Sequence, residues 1–286
     1  MTVQSISGKL DIRSAKIIET NPVPNIDYED IEPPKVKKSH LWAVRLASIV
    51  FTVGSWEILG RQVDPLFMSY PSAIAAAAVR LTASGELISA TYSSLRIVAI
   101  SFGLATIIGL ALGLLIGRYR YVEAAADWLV NALYCTPKVA IVPLVIIWFG
   151  LGDSAKIFIV TLLTVFPILI NAIAGVKNVP RNLIDVGAAF DATEPEIFRK
   201  IILPSALPYM MTGLRLGIGR GLIGMVVAEF YTAINGLGAM IVKYGNQYDT
   251  ASMFVPILVL MLLGVTLTIA LRSLDKYFAP WRYVDD

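Results

Sequence analysis

Cysteine occurs once in the chain, at Cys135, and histidine once, at His40. One of each excludes a disulfide framework and a Cys/His metal cluster within the chain. The lone thiol reads as a small hydrophobe in helix packing. Gly-Lys appears once, as Gly8-Lys9 followed by Leu10. The phosphate-cradling GxxxxGK[ST] loop is therefore missing, and the chain cannot hydrolyse ATP by that route. Neither HExxH nor GxSxG occurs, so a membrane-embedded hydrolase lacks its catalytic set. Charge is scarce too: 16% of the 286 residues are charged, with a net charge of +3, against about 25% in an ordinary soluble domain. No long basic run or aromatic-interleaved basic stripe is present, which sets nucleic acid aside as a partner.

What is abundant is apolar: 56% of the residues are hydrophobic and the mean hydropathy is +0.69. A helix crosses the hydrocarbon core with about 20 apolar residues, and the sequence predicts six such spans. Ile97 to Gly117, Ile157 to Val176 and Thr250 to Leu271 are free of charge, and Leu41 to Gly60 carries only Arg45 and Glu57. Tyr121 to Phe149 contains Pro137, Lys138 and Pro143 and is expected to break near its middle. The sixth, Ser205 to Ile234, carries Arg215, Arg220 and Glu229. Tyr70 to Leu87 reads as a short amphipathic helix, with Pro71 at its start and Gly85 as its stop. Asn235 to Asp249, with three glycines, reads as an irregular loop.

Lys and Arg of the short loops orient the spans. Twelve fall on the side of the N-terminal tail and five on the other, which predicts both termini in the cytoplasm. Residues 1–39 form a polar tail expected to be disordered, ending in the basic cluster Lys35 to Lys38 against the first span. The membrane-spanning body then runs over residues 40–286. Glycines recur every four residues at Gly109, Gly113 and Gly117 and at Gly213, Gly217 and Gly221. Such stripes let helices approach closely, either within one chain or at a seam between two copies.

Between two spans lies NLIDVGAAFDATEPEIFRKIILPSALP, Asn182 to Pro208, the most polar stretch of the second half. Leu183, Val186 and Phe190 have helical spacing, as do Ile197 and Ile201, with Pro195 in a first turn and Pro204 as an end signal. Asp191, Ala192 and Thr193 form the turn between the two helices. A rigid knob of this kind suits a partner's groove.

This stretch resembles the loop of bacterial ABC importer membrane subunits that reads E-A-A-x-x-x-G, nine residues, then I-x-L-P. Asp185 stands at the Glu position, Val186 and Gly187 at the Ala positions, Asp191 at the Gly position, and Ile201, Leu203 and Pro204 at the ending. YPSAIAAAAVRLTASGEL, PKVAIVPLVIIWFGLGDSAK, FPILINAIAGV, LPSALPYMMTGLRLGIGRGLIGMVVAEF and FAPWR extend the resemblance over about Asp64 to Arg282. They are similar to the branch that serves sulfonates, taurine, nitrate, bicarbonate and related small anions.

The resemblance implies an all-α, six-helix type I importer transmembrane domain with a cytoplasmic coupling loop at 177–204. It also implies a homodimer in the inner membrane, two ATPase subunits on the cytoplasmic face that bind the ATP and magnesium, and an extracytoplasmic solute-binding protein. This chain itself would bind no cofactor. Asp185, Gly187, Ala188, Asp191, Ala192, Thr193, Glu194, Phe198, Ile201, Leu203 and Pro204 are the implied ATPase-coupling residues. Lys138, Arg215, Arg220 and Glu229 are candidates for the translocation pathway. An Arg at mid-membrane either lines a cavity and attracts an anion or pairs with an acid such as Glu57 or with broken-helix carbonyls. Lys138 and Glu229 belong either to an outer gate or to helix packing. An ATP-independent secondary transporter is the alternative, weakened by the lack of two related halves.

Overall fold

In the computed structural model, residues 38–278 are described, with side chains from Leu41 to Tyr277. The expected tail therefore lies outside the described residues up to residue 37, as does the end of FAPWR. The described chain is helical throughout, in the order α1 (Lys38–Gly60), α2 (Pro71–Ala83), α3 (Glu86–Arg118), α4 (Arg120–Cys135), a 3-10 turn (Lys138–Ile141), α5 (Val142–Phe149), α6 (Asp153–Lys177), α7 (Arg181–Ala189), α8 (Glu194–Ile197), a π turn (Phe198–Ile202), α9 (Leu203–Thr232), α10 (Leu237–Asn246) and α11 (Thr250–Phe278). Two units divide it, 1–51 and 52–286. In the first, the described part is the start of α1, whose side chains are exposed; the rest of this section concerns the second.

Five helices are long and apolar enough to cross a membrane, and the pair Arg120–Cys135 and Lys138–Phe149, bent by 85°, makes a sixth. The bend falls where Pro137 removes a backbone donor. Lys138 then caps the freed end of α4: its Nζ donates to the carbonyls of Leu133 (2.9 Å) and Tyr134 (3.0 Å). Cys135, expected in helix packing, is exposed at this broken end, because α4 buries none of its side chains in the single chain.

Helix α6 is the hub, and both glycine stripes serve it. A β-carbon on Gly113 would lie 2.5 Å from Ala172 Cβ, and one on Gly109 or Gly117 would lie 2.9 Å from Ile168 or Val176. From the other side, β-carbons on Gly213, Gly217 and Gly221 would lie 2.8 to 2.9 Å from Asn171, Ile168 and Thr164. Of the two readings left open, close approach within one chain is the one observed for both stripes. Three helices in one chain consume both, since α3 and α9 can reach the backbone of α6 only where side chains are missing.

The sequence predicts that Pro204 ends the loop's second helix; instead the helix runs on. Residues 194–232 form one continuous helical path with a π turn at Phe198–Ile202. Pro204 lies in the first turn of α9, where the wide turn before it leaves no i−4 bond for its missing N–H to break. The other correction is Asn235 to Asp249, which is not irregular but holds α10. Helix α2 is as expected, starting at Pro71 and followed by Gly85 at φ 77°. Its buried face of Ile74, Ala77 and Leu81 packs with Leu237, Met240, Tyr244 and Val255 into one cluster.

Candidate functional site

The loop between α6 and α9 is a small structure with its own core. Val179, Ile197 and Ile202 are buried together with Ala172, Val176, Ala206 and Met210, with Ile184, Phe198, Ile201 and Leu203 packed against them. Helix α7 crosses the second half of the loop at Gly187, where a β-carbon would meet Ile201 Cδ1 at 2.7 Å. Gly187 and Ile201 thus act as one packing contact, which explains why a small residue is needed seven positions before the helix restarts at Glu194.

The turn after α7 closes as a Schellman motif: Asp191 N–H donates to Ala188 O (3.0 Å) and Ala192 N–H to Gly187 O (3.1 Å). Asp191 occupies the left-handed residue at φ 53°, a conformation that costs most side chains about 1–2 kcal/mol and that Asp tolerates better than most. Thr193 then starts α8 with a capping box, in which the Glu196 carboxylate accepts from Thr193 N–H (3.0 Å) and Oγ1–H (2.9 Å). Glu194 pairs with Arg118 at the end of α3, and Lys177 with Glu123 of α4 at 2.5 Å. The loop is therefore fastened to two neighbouring membrane helices besides the two it joins.

Its outer face is apolar in an unusual way. Leu183, Val186 and Phe190 were legible as a helical stripe, but they point outward: they are 43%, 54% and 83% exposed. The inward face is Ile184 and Gly187 instead. Asp185, Ala188, Asp191, Thr193, Glu194 and Pro204 are exposed, and Ala192, Ile201 and Leu203 are half-buried. Phe198 is half-buried in the loop's own core and borders a cavity of about 390 Å³ with Leu114, Leu115 and Arg118. Phe198, implied as a coupling residue, packs within the loop, whereas Phe190, which shares a helical face with Leu183 and Val186 and was not among the implied residues, is the loop's most exposed aromatic.

The pathway candidates separate into three places. Arg215 NηH2 donates to Asp275 Oδ2 of α11 at 3.0 Å, and Asp275 is fully buried. The suggested partner Glu57 is occupied elsewhere, by Arg61 (2.8 Å) and Ser72 (2.7 Å to Oγ). Glu229, fully buried, accepts from Ser94 Oγ and from Gly238 N–H, both at 2.7 Å, while Ser94 Oγ accepts from Leu237 N–H at 2.8 Å. Glu229 is thus the cap of α10, placed on the positive end of its dipole. Beside it Lys156 is 1% exposed and donates to Asn235 O at 3.0 Å and to Asn235 Oδ1. On α10 itself, Lys243 is raised above its ordinary pKa chiefly by its hydrogen bond to Glu86, and Tyr244 is raised by burial and by the same carboxylate.

Lys138 and Arg220 share the third place. They border an open pocket of about 380 Å³ with Tyr134, Leu163 and Phe166. The Lys138 ammonium stands 4.3 Å from the Phe166 ring centroid, within cation-π range.

A broken span, a hub helix packed by glycines on two sides and a fastened loop on one end define a membrane domain of the type I importer class. A solved structure of the methionine ABC transporter MetNI in inward-facing conformations has the same fold, with a TM-score of 0.54 and 22% identity, covering 69% of this chain and 98% of that one. Residues 105–282 match the model of the binding-protein-dependent transport system inner membrane component family, and the chain belongs to that family. It is 35% identical over 79% of its length to a putative ABC transporter permease protein of Methanocaldococcus jannaschii (87% of that protein). It is 32% identical over 79% of its length to the formylaminopyrimidine transport permease ThiX of Halalkalibacterium halodurans (91% of that protein), and 32% identical over 84% to the putative aliphatic sulfonates permease SsuC of Escherichia coli (93% of that protein). The chain is the non-catalytic, multi-pass membrane subunit of an ABC importer, working with separate ATPase subunits and a binding protein.

Proposed function

We propose that two copies of this chain line the translocation pathway for a small anion and that each docks one ATPase through the loop at 177–204. Both termini and the loop face the cytoplasm, and the binding protein delivers solute from the other side. ATP and magnesium are held by the ATPase and not by this chain. The observation that carries the reading is the outward stripe Leu183, Val186 and Phe190 on a loop fastened to four membrane helices. Such a stripe buries apolar area only against another protein, and its fastening passes a push on the loop to α3, α4, α6 and α9. ATP-driven closure of the ATPases then favours one cavity orientation over the other, as alternating access requires.

The anion class is supported by the two cations Lys138 and Arg220 that border one pocket and by the sulfonate relative SsuC. The chain is tested by purifying it gently from membranes and assaying for an ATPase. An equimolar partner with vanadate-sensitive hydrolysis is expected. A homogeneous chain that moves solute without ATP would overturn the reading.

A further inference from the structure

The pocket at the break of the bent span carries two cations and no acid. Its lining is Tyr134, Thr136, Pro137, Lys138, Val139, Leu163, Phe166, Pro167 and Arg220. Arg220 lies past the middle of α9 and is exposed. Among the described residues no carboxylate stands within ion-pair distance of it. The contrast with Arg215, one helical turn and a residue away and paired to Asp275, is instructive: this chain neutralises one intramembrane guanidinium and leaves the other open. A charge on a membrane-spanning helix is costly unless it faces water or a counter-charge. With no acid in its lining, the pocket leaves Arg220 open to a counter-charge that an anion can supply.

We infer that Lys138 and Arg220 form a binding site for an organic anion with one acid head and a short apolar tail. The proposal rests on the permease reading and deepens it. Arg220 supplies the planar fork that takes a sulfonate or carboxylate through two parallel hydrogen bonds. Lys138 spends two of its three donors on Leu133 and Tyr134 carbonyls, at 2.9 and 3.0 Å. The third is only 3.5 Å from Thr136 O, a contact weak enough to be exchanged for an anion oxygen. Leu163, Val139 and the Phe166 ring give the rest of the wall an apolar character, which favours a hydrocarbon tail over a bare inorganic ion such as nitrate. The site would hold its ligand loosely, since the pocket is open and two cations suffice to attract but not enclose it.

The test uses the permease with its co-purifying ATPase in phosphatidylcholine nanodiscs, titrated calorimetrically with 1-butanesulfonate, butanoate, nitrate and 1-butanol. Butanesulfonate and butanoate should bind, nitrate more weakly and butanol not at all. Arg220→Gln should weaken butanesulfonate at least ten-fold, and Arg220→Lys, which keeps charge without the fork, should fall between. Retained stoichiometry of the ATPase in each variant verifies the fold. Butanesulfonate affinity unchanged by Arg220→Gln, or butanol binding as well as butanesulfonate, would overturn the site. A chain that binds butanesulfonate this way but carries no ATPase supports the pocket and defeats the docking reading, so the two fail separately.

Discussion

Gly187 and Ile201 meet where the first helix of the coupling loop crosses the second, so closely that a β-carbon at 187 would stand 2.7 Å from Ile201 Cδ1. The atom in the way is the free end of a flexible side chain. Gly187→Ala should therefore be close to neutral, with the loss of space offset by about 1 kcal/mol of helix propensity. Gly187→Val cannot be absorbed in this way and should cost about 1–3 kcal/mol by overpacking. Thermal unfolding of the two variants in detergent measures the difference; equal loss in both would mean that the crossing is not where the loop is pinned.

The two aromatics of the loop make a second contrast. Phe190 is 83% exposed, whereas Phe198 packs inside the loop. Phe190→Asp should leave thermal stability within about 0.5 kcal/mol, as surface substitutions do, and abolish co-purification of the ATPase. Phe198→Asp should lower the unfolding temperature first and lose the ATPase only as a consequence. An ATPase retained by Phe190→Asp would remove the outward stripe from the docking surface.

Much of this was legible in the sequence because it rests on local signals. The apolar cores of the spans, the break at Pro137, the helix opened by Pro71 and the turn at Asp191 follow from hydropathy, proline chemistry and turn signals. What escaped depends on partners far along the chain. Helical spacing showed that Leu183, Val186 and Phe190 share a face but not whether it looks in or out, since that depends on where Ile197, Ile201 and Ile202 return. The glycine stripes announced close approach without naming α6 as the neighbour for both. Helix α10 was hidden among glycines because its cap is Glu229, on the preceding helix. Gly236, at φ 108°, is where the backbone runs against that carboxylate and where any β-carbon would collide with it.

Arg215 and Asp275 stand 60 residues apart in sequence and 3.0 Å apart in space. Removing one member of such a pair leaves a charge without its complement, at a cost of about 3 kcal/mol or more when buried. Arg215→Gln and Asp275→Asn should each destabilise the fold markedly, and the apolar double variant Arg215→Leu with Asp275→Leu should recover most of the loss. A double-mutant cycle on thermal stability reads the coupling. Additive losses would mean that the two residues act through other neighbours.

Glu229 provides the most local prediction, because its two acceptor oxygens serve different donors: Ser94 Oγ–H on one and Gly238 N–H on the other. In Glu229→Gln only one acceptor oxygen remains; with it on Gly238 N–H, the amide NH2 faces Ser94 Oγ, whose own proton then loses its acceptor here. One hydrogen bond is lost at a buried site, and the negative charge that complements the start of α10 goes with it, a penalty of about 1–3 kcal/mol. The effect should be confined to the far end of the bundle, since the loop at 177–204 has its own core and fastenings. Hydrogen exchange at residues 236–246 should quicken on the order of ten-fold or more, that of α7 should not change, and Ser94→Ala should act in the same direction but less strongly. Exchange that quickens equally at both ends would instead make Glu229 a support of the whole bundle and not the cap of one helix.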